Sequence, residues 1–263
     1  MLTVTFIRHG QSEDNKKTIW AGWKDTPLSE LGNRQAAALG EAFSKSNTNF
    51  DFIYASDLLR AHSTGQAVLA AHQSPKPPFT ADMRFREQHF GIGEGQPWVI
   101  ETPPNETLED LYKRGIFPIL RSRDGKFPEG ESLDDLARRA EQAIAEFVVP
   151  HLAAGKDLHI AIASHGLCIS ELVAALLRLD PHAPRDKSYT GLLNTAWARA
   201  VVSVKDETAT GPLDITHLPP LTVEITDFNN ADHLAHIEPE VLDEVLDEEK
   251  SKARAFFAGK AVA

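Results

Sequence analysis

Segments typical of buried β-strands alternate with helical segments along the chain, and this alternation restricts the fold more than any other feature. Short apolar runs that favour strands lie at residues 2–7, 52–55 and 158–163. Two later runs, at residues 196–204 and 221–225, also favour strands. Strands separated by helices build a parallel sheet covered by its crossover helices. The sequence therefore predicts an α/β fold: a three-layer sandwich with a mostly parallel central sheet and helices on both faces.

Helix signals occupy the stretches between these strands. Ser29 precedes an apolar stripe of helical spacing and is predicted to be its N-cap. A capping-box pattern predicts another helix over residues 132–149. Further helices are predicted near residues 58–71, 108–114 and 167–179.

The length of 263 residues suits one large domain or two small ones. Because the sequence contains neither an internal repeat nor a low-complexity linker, we expect a single domain over residues 1–263. Glycine and proline interrupt residues 88–130 repeatedly, and we expect an insertion there that folds over one end of the sheet. At about residues 239–257, acidic residues precede basic ones, which suits a C-terminal helix. We expect its apolar stripe to pack on the domain, and a homodimer contact is the second option.

Composition and charge exclude several classes of protein. Lys+Arg numbers 27 and Asp+Glu 38, so the formal net charge is −11, which argues against a nucleic acid or an anionic membrane as partner. The single cysteine, Cys168, cannot form a disulfide within the chain, which excludes a secreted disulfide scaffold. No apolar run approaches the roughly 18 residues of a membrane-spanning helix, and the first residues lack a signal-peptide pattern. We therefore expect a cytoplasmic protein.

Arginine and histidine side chains follow three of the predicted strands closely. Arg8 and His9 come directly after the first strand. Arg60 lies shortly after the second strand, and His165 lies at the end of the strand at residues 158–163. In open α/β sheets, ligands bind beyond the carboxyl ends of the strands. We therefore expect these four side chains to surround one ligand.

These residue types suit a phosphate group. The planar guanidinium of arginine offers paired donors that match phosphate oxygens, and helix N-termini after the strands add backbone N–H donors. A neutral histidine can attack phosphorus as a nucleophile. The leaving oxygen then needs a proton from a carboxylic acid, for which Glu87 is the candidate. The sequence therefore predicts phosphoryl transfer in an oxyanion pocket.

Six short blocks of the sequence form an ordered pattern. They are, in order, Arg8-His9-Gly10 with Ser12 and Asn15, residues 22–32, residues 56–64, residues 86–91 with Glu94-Gly95, residues 128–132, and Ser164-His165-Gly166. Together they resemble the signature of the histidine phosphatase superfamily, in its phosphoglycerate-mutase-like branch. The resemblance covers about residues 3–200. It implies the phosphoglycerate mutase-like fold, with the expected insertion over the active site.

The resemblance also implies a role for each matched position. His9 would accept the phosphoryl group, and Glu87 would act first as general acid and then as the base that activates water. The phosphoryl oxygens and the substrate would be held by Arg8, Asn15, Gly22, Arg60 and His165. The family needs neither a metal nor an organic cofactor, and the chain lacks the usual zinc-binding patterns.

Three functions fit this set of residues. We expect a phosphomonoester hydrolase acting on a small phosphorylated metabolite, with a sugar phosphate as the default. The second option is a cofactor-dependent phosphoglycerate mutase. Mutases of the family carry Glu-Arg-His-Tyr where this chain has Glu87-Gln88-His89-Phe90, and the missing arginine weakens the binding of a substrate carboxylate or second phosphate. The third option is a non-catalytic phosphate-binding scaffold, against which the complete set of catalytic residue types argues.

Several other cations lie within or near the matched blocks. They are Lys16, Lys17, Lys24 and Arg86. These side chains could contact a second substrate phosphate, but we favour solvated surface positions for them.

Overall fold

Eight strands and six helices follow one another in the computed structural model, which describes residues 1–17, 19–99, 105–205 and 219–237. The strands are β1 (Leu2–Arg8), β2 (Phe52–Ala55), β3 (Phe79–Ala81), β4 (Trp98–Val99), β5 (Phe117–Pro118), β6 (Leu158–Ser164), β7 (Trp197–Val204) and β8 (Leu221–Asn230). The helices are α1 (Glu30–Lys45), α2 (Leu59–Ala71), α3 (Leu108–Lys113), α4 (Leu133–Phe147), α5 (Val149–Leu152) and α6 (Gly166–Leu177).

Six of the strands form the central sheet, in the order β3-β2-β6-β1-β7-β8. The four strands from β3 to β1 pair in parallel, and β7 and β8 add an antiparallel edge. Arg8 at the end of β1 lies opposite Ser164 at the end of β6. Ala55 of β2 lies opposite Ala163 on the other side of β6. The register therefore brings three strand ends, and the residues that follow them, to one edge of the sheet.

Each face of the sheet carries its own apolar core. Side chains alternate along β1, so Val4 and Phe6 face one layer of helices and Ile7 faces the other. The larger core joins the strands to α4 and α6, and the smaller core joins them to α1 and α2. Burial of each large apolar side chain stabilises the fold by about 1.5–3 kcal/mol. The predicted three-layer sandwich with a mostly parallel sheet is confirmed.

The two predicted helix starts are also confirmed. The Ser29 hydroxyl accepts the Gly32 N–H at 3.0 Å and caps α1. At α4, the Ser132 hydroxyl accepts the Asp135 N–H at 3.0 Å, while the Asp135 carboxylate accepts the Ser132 N–H at 2.9 Å. Each such cap is worth about 1 kcal/mol.

Residues 88–130 are more regular than predicted. They contain β4, α3 and β5, and β4 and β5 form a small parallel sheet of their own. A third apolar cluster joins Trp20 to Phe90, Phe117 and Phe127. These aromatic residues follow neither helical nor strand spacing, so their packing was not visible in the sequence pattern.

Two strand boundaries also differ from the prediction. β3 was missed because its three residues are too few to show an alternation. β8 extends beyond the predicted residue 225 to Asn230, where polar residues pair with β7 through the backbone. The helix predicted at about residues 239–257 lies outside the described residues, and the single domain over residues 1–263 stays a prediction. Within the described residues, no helix has the length and apolar character to cross a membrane.

Candidate active site

A cavity of about 220 Å³ opens beyond the carboxyl ends of β1, β2 and β6. The predicted site residues that line it are Arg8, His9, Asn15, Gly22, Arg60 and Glu87. His165 does not line the cavity itself but lies beside it, fully buried, with its ring centroid 5.0 Å from that of His9. The structure therefore brings together all seven residues singled out from the sequence.

His9 presents one ring nitrogen to the cavity and uses the other for its own anchoring. Its Nδ1 lies 2.7 Å from the Gly10 carbonyl oxygen. Because a carbonyl only accepts, we assign the ring proton to Nδ1, which leaves the lone pair on Nε2. Burial lowers the pKa of His9 well below its usual value, and the charges of Arg60 and Arg8 lower it further. His9 is therefore neutral at neutral pH and is available as a nucleophile.

His165 is oriented by a serine that follows β2. The Ser56 hydroxyl lies 2.9 Å from His165 Nε2 and also accepts the Leu58 N–H at 3.3 Å. The hydroxyl hydrogen is then free to point at Nε2, so we assign the His165 ring proton to Nδ1. Within the described residues, this Nδ1 is buried and has no hydrogen-bond partner. Burial lowers the pKa of His165, with Arg60 as the next cause. The neutral ring offers one N–H donor to an anion.

Arg60, in the first turn of α2, is buried and held by two carbonyl groups. Its Nη2 donates to Gly22 O at 2.7 Å, and its Nη1 donates to Lys24 O at 2.9 Å. Burial lowers the pKa of Arg60, but a guanidinium stays charged at neutral pH. Gly22 has φ +48, which glycine adopts without strain, and a Cβ there would lie 2.3 Å from Glu94 Oε1, so a larger residue would displace that carboxylate. The remaining donors of Arg60 are available to a ligand.

Arg8 and Glu87 both lie beside the first residue of α6, Gly166. A Cβ on Gly166 would lie 3.8 Å from Arg8 Nε and 3.9 Å from Glu87 Oε2. Arg8 Nη1 also donates to the Leu192 carbonyl. A guanidinium and a carboxyl group therefore flank the same short stretch of backbone at the cavity.

The Glu87 carboxylate caps the N-terminus of α6. Its Oε1 accepts the Cys168 N–H at 3.1 Å and the Gln88 N–H at 3.0 Å, and its Oε2 accepts the Leu167 N–H at 3.2 Å. These bonds fix the position of the carboxyl group at the cavity wall. An acid held at this point can exchange a proton with a group in the cavity.

Arg139 of α4 holds the backbone that carries Glu87. Its guanidinium donates to three carbonyl groups at 2.7–2.9 Å, those of Arg84, Arg86 and Glu87. The Glu131 carboxylate pairs with the same guanidinium at 2.6 Å. Nothing in the sequence distinguishes Arg139 from the exposed arginines of a helix, so this contribution was missed.

Asn15 and Asn194 form a pair at the cavity, and the second of them was also missed. Asn15 Oδ1 accepts the Ser12 N–H at 3.1 Å and an Asn194 N–H at 3.3 Å. The side-chain amide nitrogen of Asn15 is thus left as a donor. Asn194 also donates to the His9 carbonyl at 3.1 Å. Asn194 precedes β7 in an irregular loop, so no periodic signal marked it.

The remaining cations near the site pair with carboxylates. Lys17 and Lys24 lie 3.2 and 3.1 Å from the buried Asp14 carboxylate, and of the two only Lys17 lines the cavity. Arg86 pairs with Asp57 at 2.6 Å. Lys17 and Lys24 share the single Asp14 carboxylate, so this group of three keeps a net positive charge of one. Across the described residues there is also no cluster of three or more histidine, cysteine or acidic side chains suited to a metal ion.

Comparison with known proteins gives matches over most of the chain. The sequence model of the histidine phosphatase superfamily (branch 1) matches residues 4–207. The 2,3-bisphosphoglycerate-dependent phosphoglycerate mutase 2 of Gloeobacter violaceus is 33% identical over 181 residues, which cover 69% of this chain and 78% of the mutase. The corresponding mutase of Zymomonas mobilis is 32% identical over 196 residues, covering 68% and 85%.

Solved structures resemble most of the chain in their fold. A mycobacterial glucosyl-3-phosphoglycerate phosphatase superposes with a TM-score of 0.59 at 26% identity, covering 85% of this chain and 97% of the phosphatase. A phosphoglycerate mutase from Bacillus anthracis superposes with a TM-score of 0.62, covering 89% and 95%. Its 23% identity supports a common fold only.

Proposed function

The chain belongs to the histidine phosphatase superfamily and is an enzyme of that class, and we propose that it hydrolyses phosphomonoesters through a phosphohistidine at His9. One observation carries the proposal. The free Nε2 of a neutral His9 faces a cavity that two guanidiniums border, with the unpartnered N–H of His165 beside it. A phosphoryl group placed there meets a nucleophile and several donors at once.

In the first half of the reaction, His9 Nε2 attacks phosphorus. A bond forms between nitrogen and phosphorus while the bond between phosphorus and the ester oxygen breaks. Charge on the three equatorial oxygens is stabilised by donors from Arg8, Arg60 and His165, because phosphoryl transfer depends mainly on positioning and electrostatics. Glu87 carries its proton at this stage and transfers it to the leaving oxygen.

In the second half, water attacks the phosphohistidine. The Glu87 carboxylate, now without its proton, takes one from water as the new bond to phosphorus forms. The bond between nitrogen and phosphorus breaks, and neutral His9 and inorganic phosphate result. Each group thus returns to its starting state after one turnover.

The side chain of Gln88 favours hydrolysis over mutase activity. Its amide donates to Glu131 O at 2.7 Å and is buried. It therefore offers no positive charge to a substrate carboxylate or to a second phosphate. The two sequence relatives named above are mutases, so mutase activity is the second candidate, while the solved structure at 26% identity is a phosphatase. The superfamily's chemistry is common to both, and the difference lies in whether water or a second hydroxyl group accepts the phosphoryl group.

The organisation around the site is part of the same proposal. We propose a single domain over residues 1–263 in which the insertion at residues 88–130 covers the cavity. This arrangement is supported by the backbone pairing of Pro97 with Ile19 and of Glu94 with Trp20. We also propose a cytoplasmic location and a small phosphorylated metabolite, such as a sugar phosphate, as substrate. We propose neither a nucleic-acid partner nor a membrane partner. A homodimer is compatible with it.

A hydrolysis screen tests the proposal. Wild-type protein is incubated with sugar phosphates, phosphoglycerates, nucleotides and aryl phosphates, and released phosphate is measured. His9→Ala is the blank, and His182→Ala, at an exposed histidine, is the matched control. We expect release by the wild type and the control, and none by the blank. A parallel mutase assay with and without bisphosphoglycerate would overturn the hydrolase assignment if transfer to phosphoglycerate exceeded release of phosphate.

A further inference from the structure

Part of the cavity wall is apolar. It consists of Ile19, Trp20, Phe90, Trp98 and Leu167, of which Trp20 and Phe90 belong to one buried cluster, with Trp98 and Leu167 packed against that cluster. We propose that these five residues, here called the aromatic subsite, bind the leaving group of the substrate and select an uncharged, apolar or aromatic alcohol. This inference rests on the proposed function and deepens it by naming the substrate class, in which an apolar phosphomonoester takes the place of the sugar phosphate.

The position of the aromatic subsite matches that of a leaving group. The Leu167 N–H donates to Glu87 Oε2 at 3.2 Å, so the apolar wall begins beside the group assigned as proton donor. A leaving oxygen must lie within reach of that donor, and the rest of the alcohol must extend away from His9. The aromatic subsite is the part of the cavity wall that continues from Glu87 in this way.

Hydrogen bonds and ring contacts fix the wall before any ligand binds. Trp20 Nε1 donates to Phe117 O at 3.0 Å, and the Trp20 ring lies 4.5 Å from that of Phe90. The backbone of Trp20 is paired on both sides, because its N–H donates to Gln96 O at 3.0 Å and its carbonyl accepts the Gly95 N–H at 2.7 Å. A wall held in this way loses little side-chain freedom on binding.

Charge at the aromatic subsite disfavours an anionic leaving group. The lysine and arginine residues that line the cavity are Arg8 and Arg60, which border the phosphoryl site, and Lys17, whose ammonium lies 3.2 Å from the buried Asp14 carboxylate. A substrate carboxylate placed against the aromatic rings would lose its hydration without gaining an unshared cation. An uncharged group loses much less and gains apolar contact.

A neighbouring cavity of about 420 Å³ offers the main alternative. It shares Trp20, Phe90 and Leu167 with the active-site cavity, and its wall includes Arg121, Arg123 and Lys126. Arg123 pairs with Asp134 and Glu171, both at 3.0 Å, and Lys126 pairs with Asp135 at 3.3 Å. A long substrate with a distal anion would have to compete with the pairs of Arg123 and Lys126, and the third cation, Arg121, is exposed to solvent, so we favour the uncharged leaving group.

Matched substrates of the full-length protein test this inference. Phenyl phosphate and para-carboxyphenyl phosphate differ by one distal charge, and ethyl and butyl phosphate differ by two methylenes. We expect kcat/KM to be at least tenfold higher for phenyl phosphate than for its carboxylated analogue. We also expect a rise of about fourfold for each buried methylene.

Variants of the subsite sharpen the test. Trp98→Ala should lower kcat/KM for phenyl and butyl phosphate about tenfold relative to that for ethyl phosphate. Trp98→Phe should restore most of the loss. Phe228→Ala, at an exposed ring outside the cavity, is the matched control and should match the wild type. Thermal melts confirm that each variant is folded.

A binding measurement separates failure of the inference from failure of the proposed function. Calorimetric titration compares phenylphosphonate with para-carboxyphenylphosphonate, neither of which can transfer its phosphorus group. Preference for the uncharged phosphonate supports the aromatic subsite even if no ester is hydrolysed, in which case only the hydrolase proposal falls. Turnover of the carboxylated ester equal to or above that of phenyl phosphate, with matching affinities, overturns the subsite and leaves the hydrolase proposal standing.

Discussion

The phosphoryl end of the cavity and the aromatic subsite share one cavity but are built from different kinds of structure. At the phosphoryl end, His9 and His165 follow adjacent parallel strands, and Arg60 is held by two carbonyl groups. At the aromatic subsite, Trp20 and Phe90 lie outside the central sheet and are held by ring contacts and the backbone of the insertion. Strand register positions the first set, and aromatic packing positions the second.

This difference predicts separable effects of mutation. Changes at the phosphoryl end should alter kcat on every phosphomonoester, because all substrates share the same phosphoryl group. Changes at the aromatic subsite should alter stability and the ratio of rates between leaving groups. The predictions below test that separation.

Loss of the Arg60 guanidinium should have the largest effect on turnover. Arg60→Ala removes a charge next to the equatorial oxygens, and we expect kcat to fall about 10³-fold on all substrates. Arg60→Lys keeps a charge but loses the planar fork that binds the Gly22 and Lys24 carbonyls, so we expect intermediate turnover. Steady-state kinetics with phenyl and ethyl phosphate measure both variants.

The matched control for this prediction is Arg178→Ala. Arg178 pairs with Glu141 at 2.9 Å on the surface, and exposed pairs contribute about 0–1 kcal/mol. The control should therefore keep wild-type kinetics. If kcat of Arg60→Ala fell for one class of leaving group only, the result would contradict the separation of the two ends.

Glu87→Gln should have the next largest effect, and its size should depend on the leaving group. The amide cannot donate the proton that an alkoxide needs, so we expect a loss of about 10²-fold on ethyl phosphate. A nitrophenolate leaves without that proton, and its rate should fall much less. The glutamine carbonyl can still accept two of the three N–H groups, those of Cys168 and Gln88, but the bond from the Leu167 N–H is lost, so thermal melts must show that the variant is folded. Equal losses on both esters would remove Glu87 from the acid role.

Acid should destabilise the phosphoryl end. Burial lowers the pKa of His9 and His165 in the folded state, so below about pH 6.5 the unfolded chain binds more protons than the folded one. The free energy of unfolding should then decrease as the pH is lowered below about 6.5, by up to about 1.4 kcal/mol per pH unit for each histidine. Urea unfolding at a series of pH values from 7.5 downwards should show this dependence of the free energy of unfolding on pH. His9→Gln should reduce it, and an unchanged slope in that variant would contradict the burial of a neutral His9.

Trp20→Phe should have the smallest effect. It keeps an aromatic ring in the wall but removes the bond from Nε1 to Phe117 O, at a cost of about 1 kcal/mol. We expect a lower midpoint of urea unfolding, an unchanged kcat on ethyl phosphate and the same slope of stability with pH as the wild type. A large loss of kcat in this variant would show that the two ends are coupled.

The phosphoryl end was largely predictable from the sequence because its residues sit in short blocks at strand ends. Parallel strands end at one edge, so Arg8 and His165 had to meet once their strands were neighbours. Ser56 lies in such a block as well, but the spacing of residues along the chain does not predict its hydrogen bond to His165. Asn194 and Arg139 belong to the site only through tertiary contacts, which local patterns do not encode.

The insertion was predicted far less well. Its glycines and prolines correctly indicated a break in the regular alternation, but they gave no sign of the parallel pair β4–β5 or of the ring cluster around Phe127. Aromatic side chains pack here at irregular intervals along the chain. Their partners are set by how the insertion folds back on Trp20, and that depends on contacts between distant residues.

Direct detection of the intermediate tests the central claim most closely. Wild-type protein is quenched in alkali during turnover of phenyl phosphate, and its peptides are mapped by mass spectrometry and phosphorus NMR. We predict a phosphoryl group on His9 at Nε2 that is stable in base and lost in acid, with greater accumulation in Glu87→Gln. Steady turnover with no phosphoryl group on His9, or with one on another residue, would contradict the account.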